Sequence, residues 1–201
     1  MIVNGSEVTP HSIPWQVLVR VQTISGKMRR CGGTLLTARH VLTAAHCIIG
    51  PVHVVVEEHD LDSEKDGIKH EMCRTESHPS YNVEARFNND FAILHLKEPV
   101  EINDRAVTAC LPDPSMGGDF LSKKKMTVSG WGKLKHEGES PRVLHSVDVT
   151  GDTNDHCAQD YNNTGFVITK SMLCAGEHSG AVDACQGDSG GNYVGAQYIY
   201  D

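Results

Sequence analysis

The feature that most limits what this chain can fold into is its punctuation. Short runs alternate apolar and polar residues with period two, and turn formers interrupt them. The runs cover residues 15–21 (Trp15-Gln16-Val17-Leu18-Val19-Arg20-Val21), 91–96, 126–129 and 143–149. Such alternation turns every second side chain toward a core, as a half-buried strand requires. Gly32-Gly33, Asn88-Asn89-Asp90, Pro112-Asp113-Pro114 and Gly117-Gly118 separate the runs and are read as turns. No long amphipathic helical pattern and no repeat of fixed period stands out. The expectation is an all-β sandwich or barrel. A Pro- and Gly-rich stretch at residues 112–119 has linker composition and divides the 201 residues into two comparable halves.

Composition removes several classes of function. The formal net charge of -8 argues against a nucleic-acid partner. Lys123-Lys124-Lys125 is the one lysine run and reads as a solvated loop. No apolar stretch reaches the roughly 20 residues of a membrane-spanning helix, so no membrane association is expected. Seven cysteines, none in a C-x-x-C pair, argue against a zinc ribbon and for disulfides in an oxidising compartment. The sequons Asn4-Gly5-Ser6 and Asn162-Asn163-Thr164 fit the same compartment.

Chemistry concentrates in Gly187-Asp188-Ser189-Gly190-Gly191. A serine between glycines sits on a tight turn with its hydroxyl exposed, where backbone N–H groups can converge on an oxyanion. The segment also satisfies the G-x-S-x-G pattern of α/β-hydrolases, in which the acid and the histidine follow the serine. Here the last histidine is His178, so the base lies upstream. Thr43-Ala44-Ala45-His46-Cys47 supplies it, and Asn89-Asp90-Phe91-Ala92 supplies the acid. The order His…Asp…Ser is the chymotrypsin-type order.

With these motifs the chain resembles the chymotrypsin–trypsin family of serine proteases. Further matching landmarks are Ile2-Val3-Asn4-Gly5, Trp15-Gln16-Val17, Cys31-Gly32-Gly33-Thr34-Leu35-Leu36, Ser129-Gly130-Trp131-Gly132 and Met172-Leu173-Cys174-Ala175-Gly176. The resemblance implies one trypsin-like domain over residues 2–201, built as two antiparallel Greek-key β-barrels. The first covers about residues 2–111 and the second about residues 120–201, with the active site in the crevice between them. It implies a secreted serine endopeptidase, made as a zymogen, that cleaves after Arg or Lys through an acyl-enzyme. His46, Asp90 and Ser189 would be the catalytic triad, and Gly187 and Ser189 the oxyanion donors. Asp183 would receive the basic side chain, with Ala184 in place of a serine favouring Arg. The amine of Ile2, once freed, would pair with Asp188. Cys31–Cys47 and Cys157–Cys174 match family disulfides, and Cys110 resembles a cysteine that tethers an upstream segment. Cys185 would pair with a cysteine beyond the present chain, and Cys73 has no family counterpart. Protein or peptide substrates and protease inhibitors would be the partners.

Two features cut the other way. The family continues past the catalytic serine with a Ser-Trp-Gly segment and a C-terminal helix, whereas this chain stops at Asp201. The second barrel is therefore expected to be incomplete. Met1 precedes Ile2 and would block its amine. Activity of the 201 residues as written is thus expected to be low, and the rival reading is a truncated, non-catalytic homologue that acts as a binding protein. No cofactor or metal is expected. Calcium is the one exception weighed, at Glu58, Asp60, Asp62, Glu64 and Asp66, where Lys65 intrudes.

Overall fold

In the computed structural model, residues 5–63, 65–113, 121–134, 138–176 and 188–194 are described. Strand β2 (Gln16–Gln22) shows why the alternating runs become strands. Val17, Val19 and Val21 enter one buried cluster, while Leu18 points the other way into a second. Both faces of this strand are therefore covered, one by its own barrel and one by the other half of the molecule.

β2 pairs with β3 (Met28–Thr37) and β5 (Val52–Val56). β4 (His40–Thr43), β6 (Ile68–Ser77) and β7 (Ala92–Leu96) complete a closed barrel in the order β2-β3-β4-β7-β6-β5. All pairings are antiparallel. Closure removes the exposed strand edges that an open sheet keeps. The interior is mostly aliphatic: Val17, Val19, Leu35, Val41, Val54, Leu94 and Leu96 among others.

The second half is built on β8 (Lys125–Gly130) and β9 (His145–Asp152). β9 is flanked along its start by β1 (Ser6–Glu7) and along its end by β10 (Cys174–Gly176). β11 (Asn192–Val194) pairs with β8. Among the described residues this is a five-stranded sheet rather than a closed barrel. Its core is smaller, made by Leu121, Met126, Val128, Val149 and Leu173. The overall class is all-β: a closed barrel beside a second sheet.

Between the halves lies a third cluster, in which Trp131 and Leu144 meet Leu18 and Val55. Polar bonds fix it. The Trp131 indole N–H donates to the His59 carbonyl at 3.0 Å, and the Ser129 hydroxyl donates to Gln16 Oε1 at 2.8 Å.

One sequence expectation is corrected. Gly32-Gly33 is not a turn but the middle of β3. A Cβ on Gly32 would lie 2.6 Å from the Gly191 Cα, and one on Gly33 would lie 2.9 Å from Val41 Cγ1. These glycines let another backbone approach a strand. The chain also has a helix, α1 (Asn154–Asp160), capped by the Thr153 side chain, which accepts from the His156 N–H. Seven residues that bury only Cys157 leave no amphipathic signature to read.

Candidate active site

His46 sits in a 3-10 turn (Ala45–Cys47) that follows β4 directly. The Cys31–Cys47 disulfide ties this turn to β3. Asp90 precedes β7 at the end of a tightly coiled segment in which Asn82, Glu84, Phe87 and Asn89 all have positive φ. β4 and β7 are neighbours in the barrel, with Thr43 opposite Ala92. The sheet register therefore brings histidine and aspartate together.

Asp90 grips His46 at two points. Oδ1 accepts the His46 backbone N–H at 2.8 Å, and Oδ2 lies 2.5 Å from Nδ1. The aspartate side chain is 7% exposed and the histidine 23%. An ionised carboxylate can only accept, so Nδ1 carries the proton and Nε2 is left to act as a base. Buried and doubly anchored, the carboxylate fixes the ring's orientation and tautomer.

The Asp90 segment is also tied to the second half. The Thr169 and Ser171 hydroxyls both donate to Asn88 Oδ1, at 2.7 and 2.5 Å. The Asn88 amide donates to the Val83 carbonyl at 2.7 Å. Asn88 is 5% exposed, and the sequence marked it only as part of a turn.

Ser189 arrives on a turn whose Gly191 N–H donates to the Asp188 carbonyl at 2.8 Å. Gly190 has φ +76°, the positive φ needed at the third position of a type II turn. A side chain there would also strike Thr43 Oγ1 at 2.3 Å and the Ala44 nitrogen at 2.7 Å. The turn is pressed against the barrel: the Gly32 N–H donates to the Ser189 carbonyl at 2.7 Å. Cys47 Sγ lies 3.7 Å from His46 Nε2 and 3.8 Å from the Ser189 carbonyl oxygen. His46 and the backbone of Ser189 thus border the same sulfur atom.

Asp188 is 5% exposed. Its carboxylate accepts the Gly132 N–H at 2.8 Å and lies in a slot between Gly130 and Gly132. A Cβ at either glycine would come within 2.4 Å of a carboxylate oxygen. Ile2, Asp183, Ala184, Cys185 and Gly187 lie outside the described residues.

An aromatic wall that the sequence did not announce flanks the histidine. Phe87 packs edge-on against His46 with centroids 5.7 Å apart, and the Arg86 guanidinium stands 4.7 Å over the Phe87 ring. Phe166 lies 6.4 Å from Phe87, and Tyr161 lies 5.7 Å from Phe166.

Two possible metal positions can be tested on their donors. Cys31, His46 and Cys47 cluster closely, but both sulfurs are joined in the disulfide and offer no thiolate. In the loop at 58–66, Asp66 Oδ2 is occupied by the N–H groups of His59 and Asp60 at 2.9 and 2.8 Å. Asp60 faces the Asp62 N–H and Arg142. Among the described residues these carboxylates do not converge on one point; Glu64 lies outside them. Glu58 is buried within the loop, 3.9 Å from Arg20, with Oε1 lacking a hydrogen-bond partner. Burial, reinforced by Asp66 and by Asp60 against the pull of Arg20, pushes its carboxyl up to about 7.

Cys157 and Cys174 are bridged, whereas Cys73 and Cys110 are exposed free thiols. No helix among the described residues is long and apolar enough to cross a membrane.

Comparison with known proteins agrees with this architecture. The family model described as Trypsin matches residues 2–198. Serine protease filzig of Drosophila melanogaster is 38% identical over 96% of this chain and 12% of its own length. Coagulation factor IX of Cavia porcellus is 32% identical over 96% of this chain and 67% of its own. Trypsin zeta of Drosophila erecta is 36% identical over 96% of this chain and 72% of its own. The chain thus spans about an eighth of the first relative and about two thirds of the second. The match from end to end, on a closed barrel and second sheet that meet beside His46, Asp90 and Ser189, makes this chain a member of the trypsin family of serine proteases.

Proposed function

We propose that the protein is a secreted endopeptidase that cleaves after Arg, and less readily after Lys, through an acyl-enzyme. The observation that carries this reading is the two-point bond between Asp90 and His46, with the Ser189 backbone bordering the same disulfide sulfur as His46. A serine hydroxyl is a weak nucleophile and needs an adjacent base. His46 takes the Ser189 proton as the hydroxyl attacks the scissile carbonyl, and returns it to the leaving amine. Asp90 stabilises the imidazolium formed in between. The N–H groups of Gly187 and Ser189 receive the oxyanion; losing such a donor typically costs about 3 kcal/mol of transition-state stabilisation. Water then attacks the acyl-enzyme, with His46 again the base. Every step uses side chains and backbone dipoles of this chain, and none draws on a cofactor.

Specificity rests on Asp183, six residues before Ser189, as partner for a substrate cation. Ala184 offers no hydroxyl to a lysine ammonium, which leaves the advantage to the forked guanidinium. Zymogen control rests on Asp188, whose buried carboxylate in a glycine-walled slot suits the pairing with a freed Ile2 amine. Secretion is supported by the two disulfides. Protein substrates and protein inhibitors are the partners.

Titration with an irreversible phosphonate tests the mechanism: stoichiometric labelling confined to Ser189 and abolished in Ser189→Ala supports it. Comparing kcat/KM for matched Arg, Lys and Phe peptides tests the pocket, and a Phe preference would overturn it. If no form of the chain labels, the non-catalytic binding protein becomes the better reading.

A further inference from the structure

The sequon Asn162-Asn163-Thr164 is left unused by the catalytic reading. We propose that Asn162 carries an N-linked glycan, and that this glycan covers the outer end of the aromatic wall beside His46. The proposal rests on the secreted reading given above, because the modification requires the secretory compartment.

A sequon alone is a weak signal, and position adds what the motif lacks. Asn162 lies in the turn that follows α1, and residues 161–165 are all exposed. Its backbone N–H donates to the Gln159 carbonyl at 3.3 Å, while its side chain has no hydrogen bond among the described residues. The amide is therefore free to carry a substituent without disturbing the fold. The Thr164 hydroxyl donates to the Tyr161 carbonyl at 2.8 Å and accepts the Phe166 N–H at 3.1 Å. That bond pair closes the turn after folding, and the asparagine stays on its outside.

The turn is the far end of the wall that leads to the active site. Tyr161, on the residue before Asn162, contacts Phe166; Phe166 contacts Phe87; Phe87 contacts His46. Tyr161 and Val167 remain 44% and 60% exposed, an apolar surface on both sides of the sequon. A glycan is bulky and solubilising, and here it would cover that surface at the entrance to the crevice.

The bond forms by group transfer. Asn162 Nδ2 attacks C1 of the first sugar of a polyprenyl-pyrophosphate-linked oligosaccharide. The C1–O bond breaks, the lipid pyrophosphate leaves with the electron pair, and the amide proton passes to a base of the transferase. The Thr164 hydroxyl completes the acceptor motif on the unfolded chain.

The test expresses the full chain behind a secretory leader in eukaryotic cells, as wild type, Asn162→Gln and Asn4→Gln. N-glycans are released enzymatically in heavy-oxygen water and the peptides mapped. The expected result is label at Asn162 in most secreted copies of wild type and Asn4→Gln; an unlabelled Asn162 overturns the site. Hydroxyl-radical footprinting reads the position of the glycan. Oxidation of Tyr161 and Val167 should rise at least twofold in Asn162→Gln, and equal oxidation overturns the proposed covering. Disulfide mapping of the same samples confirms that the variant folds. Neither readout requires peptidase activity. A chain that is glycosylated but unreactive to phosphonate would therefore overturn the catalytic reading and leave this one standing.

Discussion

The two halves of the molecule solve the same problem differently. The first half closes a six-stranded barrel around fourteen buried residues. The second, among the described residues, stacks five strands over a cluster of five. The first holds His46 and Asp90, whose mutual geometry must be rigid; the second presents Ser189 on a turn pressed against it. The contrast teaches what positions each of the proposed catalytic groups. The histidine and aspartate take theirs from barrel register, and the serine takes its own from a contact between the halves.

The largest expected effect separates chemistry from structure. In an activated form of the protein, Ser189→Ala should lower kcat by roughly a millionfold. The melting temperature should stay within a few degrees, since a half-buried hydroxyl on a turn contributes little to stability. Paired activity and melting measurements check this, and a large loss of stability would show that Ser189 helps to dock the halves.

Next come the two cores. Leu94→Ala, in the closed barrel, should cost about 4 kcal/mol, because a closed wall cannot collapse into the cavity. Met126→Ala, in the smaller cluster, should cost about 2–3 kcal/mol. Denaturant titration decides, and equal losses would erase the distinction between the halves.

The disulfides sharpen the comparison, since they close chain segments of almost equal separation, 16 and 17 residues. Chain entropy alone gives each about 3 kcal/mol. Replacing either pair by alanines should therefore cost a similar amount of stability. Only loss of Cys31–Cys47 should also reduce kcat, because its sulfur touches His46. Activity per correctly folded molecule is the quantity to measure.

The smallest effect concerns pH. Glu58 has a folded-state carboxyl near 7 against 4.5 for the ordinary group. A raised carboxyl favours the protonated folded form. Stability should fall as pH rises from about 4.5 to about 7 and then level off. Glu58→Gln should flatten that slope and be slightly more stable than wild type above pH 7. Stability measured from pH 4 to 8 tests it; parallel curves for the two proteins would count against the burial argument.

Sequence patterning revealed strands in which every second residue faces one core. Residues 15–21 alternate because Val17, Val19 and Val21 face the barrel, and β8 and β9 follow the same rule. β6 was illegible because its residues are mostly exposed and carry charges, leaving no face to alternate. Gly32-Gly33 looks like a turn, since nothing local announces that Gly191 will lie against it. Motif order singled out His46, Asp90 and Ser189 as candidates, and the structure brings His46 and Asp90 into direct contact. Phe87 and Asn88 were not legible. Their importance comes from Phe166, Thr169 and Ser171, about eighty residues away in sequence.

Strand β1 carries a consequence for the order of folding. Ser6 and Glu7 belong by sequence to the first half, yet they pair with Ser146 and His145 of β9. During synthesis the barrel can close as soon as β7 has emerged, but the leading arm has no strand to join until β9 appears. At typical elongation rates of roughly 5–20 residues per second that is an interval of about 3–10 s. Throughout it Ser6 and Glu7 lack their strand partner, while the barrel of the first half is already finished. The two halves are therefore not separable modules: cutting the chain between them strands β1 on the wrong piece.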